Sequence, residues 1–84
     1  MTREEIIAGL AELLNEVADV EPAEVTEDKS FIEDLDVDSL AMVEVIVSAE
    51  ERFGVSLPEE ELQELRLVSD FVLRVEKELA AQAA

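Results

Sequence analysis

Apolar side chains recur at helical spacing near the start of the chain. The stripe consists of Ile6, Ile7, Leu10, Leu13, Leu14 and Val17. This is the period of an amphipathic helix with one buried face. Just before it, Thr2 and Glu5 have the T-x-x-E spacing of a capping box. The pattern therefore predicts a first helix that begins at Thr2 and runs for about four turns.

The periodicity is lost between Asp19 and Val37, where acidic residues dominate and Pro22 interrupts the chain. Apolar residues still recur there, at Val25, Phe31, Ile32 and Leu35. A segment of this length without regular structure is usually functional or disordered, and the apolar anchors favour an ordered one. We therefore expect a long ordered loop, in which the S-x-x-E spacing of Ser30 and Glu33 can cap a single turn.

Helical spacing returns after the loop. A second helix is predicted from Asp38 or Ser39 to Gly54, where glycine suits a left-handed cap. A short third helix is predicted over 59–65, with Pro58 near its first position. The last helix carries its apolar stripe at Val68, Phe71, Val72, Val75 and Leu79, and we expect it to fray in the final AAQAA. The predicted fold is all-α: one domain, residues 1–84, forming a four-helix bundle of three longer helices and a short third one.

The charge balance narrows the possible partners. Six basic and 23 acidic residues give a net charge of −17, which repels nucleic acid and anionic membranes and favours proteins with basic patches. The absence of cysteine excludes disulfides and thiolate metal sites. The acidic N-terminus does not resemble a signal peptide, and no apolar stretch is long enough to span a bilayer. We expect a cytoplasmic monomer.

The stretch DLDVDSL, from Asp34 to Leu40, admits three interpretations. A calcium loop beginning at Asp34 would need glycine at Ser39 and glutamate at Val45, so it fails and we predict no metal site. A catalytic serine would need an activating group, but the chain has no histidine or cysteine; we predict that the protein is not an enzyme. The third interpretation is structural, with Asp38 as the helix cap. Ser39 would then offer its hydroxyl beside free N–H groups that suit a phosphate diester, and the sequence pattern leaves cap and attachment site both open.

The second helix has two distinct faces at about 100° per residue. Met42, Val45, Ile46, Ala49 and Phe53 fall within one arc and should face the core. The opposite face carries Leu40, Val43, Glu44, Val47, Glu50 and Glu51, with Ser39 at its top. This mixture is either ordinary exposure or a docking surface, on which aliphatic contacts add affinity and glutamates steer basic partners.

Taken together, these motifs resemble the acyl carrier proteins. The resemblance covers nearly the whole chain and rests on SFIEDL, DVDSLAMVEVIVSAEERFGV and LPEEEL, in that order. The residues of these motifs are most similar to those of carriers of dissociated (type II) fatty acid synthases of the actinobacterial kind. The resemblance implies that a separate transferase attaches 4′-phosphopantetheine from coenzyme A to Ser39, flanked by Asp38 as cap. The thiol of this arm would hold acyl chains as thioesters.

The resemblance also assigns partners and a cavity. It implies that Leu40, Val43, Glu44, Val47, Glu50 and Glu51 form the recognition surface. The implied partners are a phosphopantetheinyl transferase, an acyltransferase, a ketosynthase, a ketoreductase, a dehydratase and an enoyl reductase. The residues that match the family's acyl cavity are Phe31, Ile46, Ala49, Leu57, Leu62, Leu65 and Phe71. Two alternatives stay open: a carrier for a type II polyketide or other secondary-metabolite pathway, and an unmodified acidic interaction domain.

Three residues depart from the family pattern. Asp36 stands where glycine is usual, and aspartate tolerates left-handed backbone better than most residues. Ala41 replaces an acidic or hydroxyl residue in the first turn of the second helix. Leu67 replaces the usual Thr or Ser cap of the last helix, a loss that typically costs about 1 kcal/mol.

Overall fold

The structure is a computed structural model, which describes residues 1–83. Three α-helices form the fold: α1 (Arg3–Ala18), α2 (Ser39–Phe53) and α3 (Val68–Ala83). Two 3₁₀ helices lie between them, η1 (Pro22–Glu24) and η2 (Glu59–Glu64). Within the described range the only strand-like pairing is an isolated antiparallel bridge between Ser30 and Leu67. The all-α prediction is confirmed, but the short third helix is a 3₁₀ helix and the described residues form three α-helices.

The start of α1 is the predicted capping box. The Thr2 hydroxyl accepts a hydrogen bond from the Glu5 amide at 3.2 Å, and the Glu5 carboxylate accepts one from the Thr2 amide at 2.8 Å. Hydrogen bonds from the backbone and then the hydroxyl of Thr2 favour the ionised carboxylate and lower the pKa of Glu5. At the other end, Asp19 adopts a left-handed conformation and terminates the helix.

The core lies where α1 packs against α2 and α3. All its buried side chains are apolar within the described residues. Phe71 is at its centre, with its ring 6.3 Å from that of Phe31 and 6.2 Å from that of Phe53, both edge to face. Gly9 lets α1 approach closely, because a Cβ there would lie 2.9 Å from the Phe53 ring.

The connection between α1 and α2 is tied to the start of α3. Its side chains Val20, Val25, Phe31, Leu35 and Val37 are buried. The Phe31 amide donates to the Arg66 carbonyl at 3.1 Å, and the Val68 amide donates to the Lys29 carbonyl at 2.9 Å. Backbone hydrogen bonds and apolar anchors together hold the connection in place. Ile32 is an exception among the predicted anchors, since it is 58% exposed on a turn that directs Phe31 inward.

The last helix is longer and better capped than the sequence suggested. It continues to Ala83, so the predicted fraying is wrong for residues 80–83, and Ala84 lies outside the described residues. Alanine has the highest helix propensity, which explains the continuation. At the other end the Asp70 carboxylate accepts a hydrogen bond from the Leu67 amide at 3.0 Å. This carboxylate supplies one half of a capping box in place of the missing hydroxyl.

A charged cluster on α3 holds η2 in place. The Arg74 guanidinium pairs with Glu61 on η2 and, at 3.1 Å, with Glu78 one turn further along α3. The hydrogen bond with Glu61 is the main reason that the pKa of Arg74 is raised.

Among the helices of residues 1–83, none is sufficiently long and apolar to cross a membrane.

Candidate functional site

The three aspartates before α2 perform different structural tasks. The Asp34 carboxylate accepts a hydrogen bond from the Ser30 amide at 2.7 Å. Asp36 has a φ of 56°, which confirms that this position requires left-handed backbone. Asp38 is the N-cap of α2, and its carboxylate accepts a hydrogen bond from the Ala41 amide at 2.8 Å. Over the described part of the chain, no group of three or more potential ligands is arranged to hold a metal ion.

The predicted cap at Ser30 is present in the same loop. The Ser30 hydroxyl accepts a hydrogen bond from the Glu33 amide at 3.2 Å and closes a turn over 31–34. The same residue's amide is bound by Asp34, as described above. Ser30 and Asp34 therefore fix the loop that leads into α2, and with it the direction in which α2 begins.

Ser39 is the first residue of α2, and its side chain is exposed. Its hydroxyl takes no part in the hydrogen bonds of residues 1–83, and the side chain that caps the helix is that of Asp38. The first amides of any helix lack partners within the helix and form its positive end. Ser39 thus presents a free hydroxyl at a position that favours a negatively charged substituent.

A groove of about 240 Å³ opens beside Ser39. Three segments build it: the loop before α2, the first turn of α2, and η2 with the residues that follow it. Its walls consist of Ser30, Phe31, Ile32, Glu33, Ser39, Met42, Leu62, Gln63, Leu65 and Arg66. Apolar side chains dominate these walls, so the groove can shield an aliphatic group from water.

The groove and the predicted acyl cavity overlap in part. Phe31, Leu62 and Leu65 line the groove. The other four predicted residues, Ile46, Ala49, Leu57 and Phe71, are buried in the core and do not line it. Met42, Ile32 and Arg66 line it without having been predicted. Met42 could have been found from its position one turn after Ser39, whereas Arg66 approaches only through folding of the chain after η2.

The two predicted faces of α2 differ clearly in burial. Its buried residues are the five predicted ones, Met42, Val45, Ile46, Ala49 and Phe53. On the opposite face Leu40 is 80% exposed and Val47 is 47% exposed, and Glu44 and Glu51 are also exposed. Val43 is half-buried.

Glu50 differs from the other residues of that face. It is half-buried, and its carboxylate accepts a hydrogen bond from the Leu57 amide at 3.1 Å. This bond holds the turn after α2 against the helix. The carboxylate of Glu50 therefore has a structural task, which the helical pattern could not reveal because its partner lies beyond the helix end.

Comparison with known proteins defines the class. Residues 8–75 match the family model described as the phosphopantetheine attachment site. Proteins of this class are carriers that bear a phosphopantetheine group.

Individual relatives narrow the class further. The chain is 55% identical over 76 residues to the meromycolate extension acyl carrier protein of Mycolicibacterium smegmatis, covering 90% of this chain and 77% of the relative. It is 52% identical over 83 residues to the acyl carrier protein of Rhodococcus erythropolis, covering 99% of this chain and 90% of the relative. The crystal structure of an acyl carrier protein from Thermotoga maritima matches with a TM-score of 0.83 at 28% identity, covering 94% of this chain and 92% of that one. This chain belongs to the acyl carrier protein family.

Membership confirms three predictions from the sequence. The resemblance to acyl carrier proteins holds, and actinobacterial relatives are among the matches. The family is one of non-catalytic carriers, in agreement with the lack of an activating group near Ser39. Its cofactor is phosphopantetheine, for which the sequence resemblance implied a covalent attachment.

Proposed function

We propose that residues 1–84 form one acyl carrier domain that holds acyl chains as thioesters on a 4′-phosphopantetheine arm at Ser39. The observation that supports this proposal is the division of tasks at the start of α2. Asp38 caps the helix through the Ala41 amide, so the exposed Ser39 hydroxyl is available for modification. The arm, once attached, supplies the thiol that carries the acyl group.

The residues around Ser39 fit this group. A phosphodiester on its oxygen would lie at the positive end of α2, where the unpaired amides of the first turn favour negative charge. The groove of about 240 Å³ offers apolar walls beside it. Phe31, Met42, Leu62 and Leu65 would exclude water from an aliphatic group held there.

The attachment step requires an external catalyst. Histidine, the usual general base for a serine, does not occur in the chain, and neither lysine lines the groove with Ser39. In the transferase-catalysed step, Ser39 Oγ would attack the phosphorus that carries the pantetheine, forming a P–O bond. The bond to 3′,5′-adenosine bisphosphate would break, and the hydroxyl proton would pass to a base of the transferase. The task of this chain is to present the hydroxyl at a rigid helix start.

Dissociated fatty acid synthesis is the pathway that we propose. The relative from Mycolicibacterium smegmatis is named for meromycolate extension, and those from Rhodococcus erythropolis and Acidothermus cellulolyticus are named acyl carrier proteins. The first of these names supports long acyl chains as cargo over polyketides. Cytoplasmic location and a monomeric state complete the proposal.

The outer face of α2 is the proposed recognition surface for partner enzymes. Leu40, Val43 and Val47 would contact apolar positions on a partner, while Glu44 and Glu51 would steer its basic patch into place. The proposed partners are the transferase, an acyltransferase, a ketosynthase, a ketoreductase, a dehydratase and an enoyl reductase. Glu50 would contribute indirectly, by holding the turn after α2 through the Leu57 amide.

Intact mass spectrometry tests the attachment site. The protein is incubated with coenzyme A, Mg²⁺ and a broad-specificity phosphopantetheinyl transferase, beside Ser39→Ala and Ser48→Ala. We expect one phosphopantetheine on the parent and on Ser48→Ala, and none on Ser39→Ala. An unchanged parent mass, with the transferase active on another carrier, would refute the proposal.

Charge reversal tests the recognition surface. Glu44→Lys and Glu51→Lys should slow acyl transfer by partner enzymes and reduce its salt dependence, because the steering charges are inverted. Glu16→Lys is the matched control, since Glu16 is an exposed acid on α1. Circular dichroism should show equal helix content in all three variants. Equal transfer rates for all three would mean that partners bind elsewhere.

A further inference from the structure

The groove beside Ser39 contains one positively charged side chain. Arg66 lines it together with Ser39. It also lines a second depression with Ser30, Glu33, Leu67 and Asp70. Arg66 therefore lies at the boundary between the loop before α2 and the start of α3.

Arg66 differs from the other arginines in its ion pairing. Three arginines each pair with carboxylates: Arg3 with Glu27 and Glu76, Arg52 with Glu12, and Arg74 with Glu61 and Glu78. Among the side chains that the structure describes, Arg66 forms no such pair. Lys29 and Lys77 likewise form no such pair within the described residues, but neither of them lines the groove.

The backbone holds Arg66 in this position. Its carbonyl accepts a hydrogen bond from the Phe31 amide at 3.1 Å. The neighbouring residue Leu67 forms the isolated bridge with Ser30. Both contacts join residues 66–67 to the loop that leads into α2, so they hold the backbone of Arg66 against that loop.

Ser39 is surrounded by acidic residues. Asp34, Asp36 and Asp38 precede the serine, and Glu33 lines the groove with it. A phosphodiester at Ser39 would add another negative charge to this region, and the positive end of α2 would offset that only in part. A guanidinium is the side chain best suited to bind a phosphate, because its planar fork donates two parallel hydrogen bonds.

We propose that Arg66 pairs with the phosphodiester of the arm on Ser39 and directs the arm into the groove between α2 and η2. This proposal rests on the proposed attachment at Ser39. Arg66 acts as a positioning residue: it exchanges no proton and forms no covalent bond. The guanidinium would neutralise the phosphodiester where the acidic loop disfavours it, and would orient the chain beyond the phosphate towards Leu62 and Leu65.

Side-chain NMR tests the pairing directly. The Nε–Hε signals of the four arginines are compared in the protein before and after attachment of the arm, which is verified by intact mass. We expect the Arg66 signal to move on attachment, while those of Arg3, Arg52 and Arg74 stay in place. Sodium chloride at about 1 M, where the Debye length is about 3 Å, should largely reverse the shift. An Arg66 signal that does not move in the fully modified protein would overturn the proposal.

The phosphorus signal gives a second and independent readout. Arg66→Gln and Lys77→Gln each remove one positive charge from an exposed side chain, but Lys77 lies on α3 and does not line the groove. We expect the ³¹P signal of modified Arg66→Gln to differ from that of the parent at low salt, and that of Lys77→Gln to match it. If all three signals coincide, the pairing is refuted.

The two readouts also separate this proposal from the proposed function. If the parent gains no arm, the attachment at Ser39 is wrong and the pairing falls with it. If the parent gains the arm but the ³¹P signals coincide, only the pairing fails. If Arg66→Gln slows transfer by partner enzymes without moving the ³¹P signal, Arg66 is a partner contact and the pairing is likewise refuted.

Discussion

Asp38 and Ser39 are neighbours with separate tasks. The carboxylate of Asp38 accepts the Ala41 amide and so completes the first turn of α2. Ser39, one residue later, is exposed and lines the groove. Serine is itself a good helix cap, which is why the sequence pattern could not separate the two tasks. The structure assigns the cap to Asp38.

This division predicts different outcomes for two alanine variants. Asp38→Ala should lower the free energy of unfolding by about 1 kcal/mol, because the Ala41 amide loses its acceptor. Ser39→Ala should change the free energy of unfolding much less, since alanine is a better helix former than serine. Urea unfolding monitored by circular dichroism measures both. A larger loss for Ser39→Ala would show that the serine hydroxyl is structurally required.

The capping box of α1 predicts a pH dependence. Because the folded-state pKa of Glu5 is lowered, its ionised carboxylate stabilises the fold above the usual glutamate pKa of about 4.3. That stabilisation is lost as the pH falls through the lower folded-state pKa. Glu4→Gln removes the same charge from the same turn and serves as the control for Glu5→Gln.

At neutral pH, Glu5→Gln should have the lower melting temperature of the two variants. The difference should shrink as the pH is lowered below about 4. Thermal denaturation followed at a series of pH values measures it. A difference of equal size at neutral and acidic pH would contradict the role assigned to the Glu5 carboxylate.

At the scale of elements, local signals predicted the helix ends well. The T-x-x-E spacing, Asp38 and Gly54 each mark a boundary that the structure shares, and Gly54 has the left-handed φ of 67° expected of it. These signals are local because a cap bonds within its own turn. Leu67 misled the sequence prediction, since the Asp70 carboxylate that binds its amide was not recognised as a cap.

Contacts between distant segments could not be predicted in the same way. The bridge between Ser30 and Leu67 joins the loop before α2 to the residue that precedes α3. The ion pair between Arg74 and Glu61 joins α3 to η2. Neither contact has a sequence period, so the position of Arg66 in the groove became visible only in the folded chain.

Gly9 provides a test of how closely α1 packs. Alanine in a helix is normally more stable than glycine by about 1 kcal/mol. At this position its Cβ would lie 2.9 Å from Phe53 Cζ and 3.0 Å from Arg52 Nε. Overpacking of a core costs about 1 to 3 kcal/mol, so we expect Gly9→Ala to lower the free energy of unfolding by about 1 kcal/mol.

Phe53→Leu removes the ring that a Cβ at position 9 would contact, so it tests whether this contact causes the loss. Removing the ring should reduce or reverse the loss caused by Gly9→Ala, because the helix propensity of alanine then dominates. Urea unfolding of the parent, both single variants and the double variant measures the coupling. Additive effects would show that the Phe53 ring does not limit the approach of α1.

At the scale of the whole molecule, charge opposes folding. The chain carries 23 acidic and six basic residues. Arg3 and Arg52 pair with exposed carboxylates, and Arg74 pairs with partly buried ones. Exposed ion pairs contribute little to stability. Repulsion among the remaining carboxylates is therefore the larger electrostatic effect on the folded state, and it also makes the surface attractive to basic partners.

Added salt should therefore stabilise the fold. The Debye length falls from about 30 Å at 0.01 M to about 8 Å at 0.15 M, which screens repulsion between separate carboxylates. We expect the melting temperature to rise over this range, and to rise further when Mg²⁺ replaces Na⁺ at equal ionic strength. Differential scanning calorimetry measures both. A melting temperature that stays flat or falls would mean that the ion pairs outweigh the repulsion.

The central claim is that Ser39 carries an acyl chain as a thioester on its arm. The most direct measurement is the intact mass of the modified protein after incubation with malonyl coenzyme A and a malonyl transferase, before and after treatment with neutral hydroxylamine. We predict one added malonyl group on the parent, removed by hydroxylamine, with the arm retained, and no addition to Ser39→Ala. A malonyl group that resists hydroxylamine, or that also appears on Ser39→Ala, would contradict the claim.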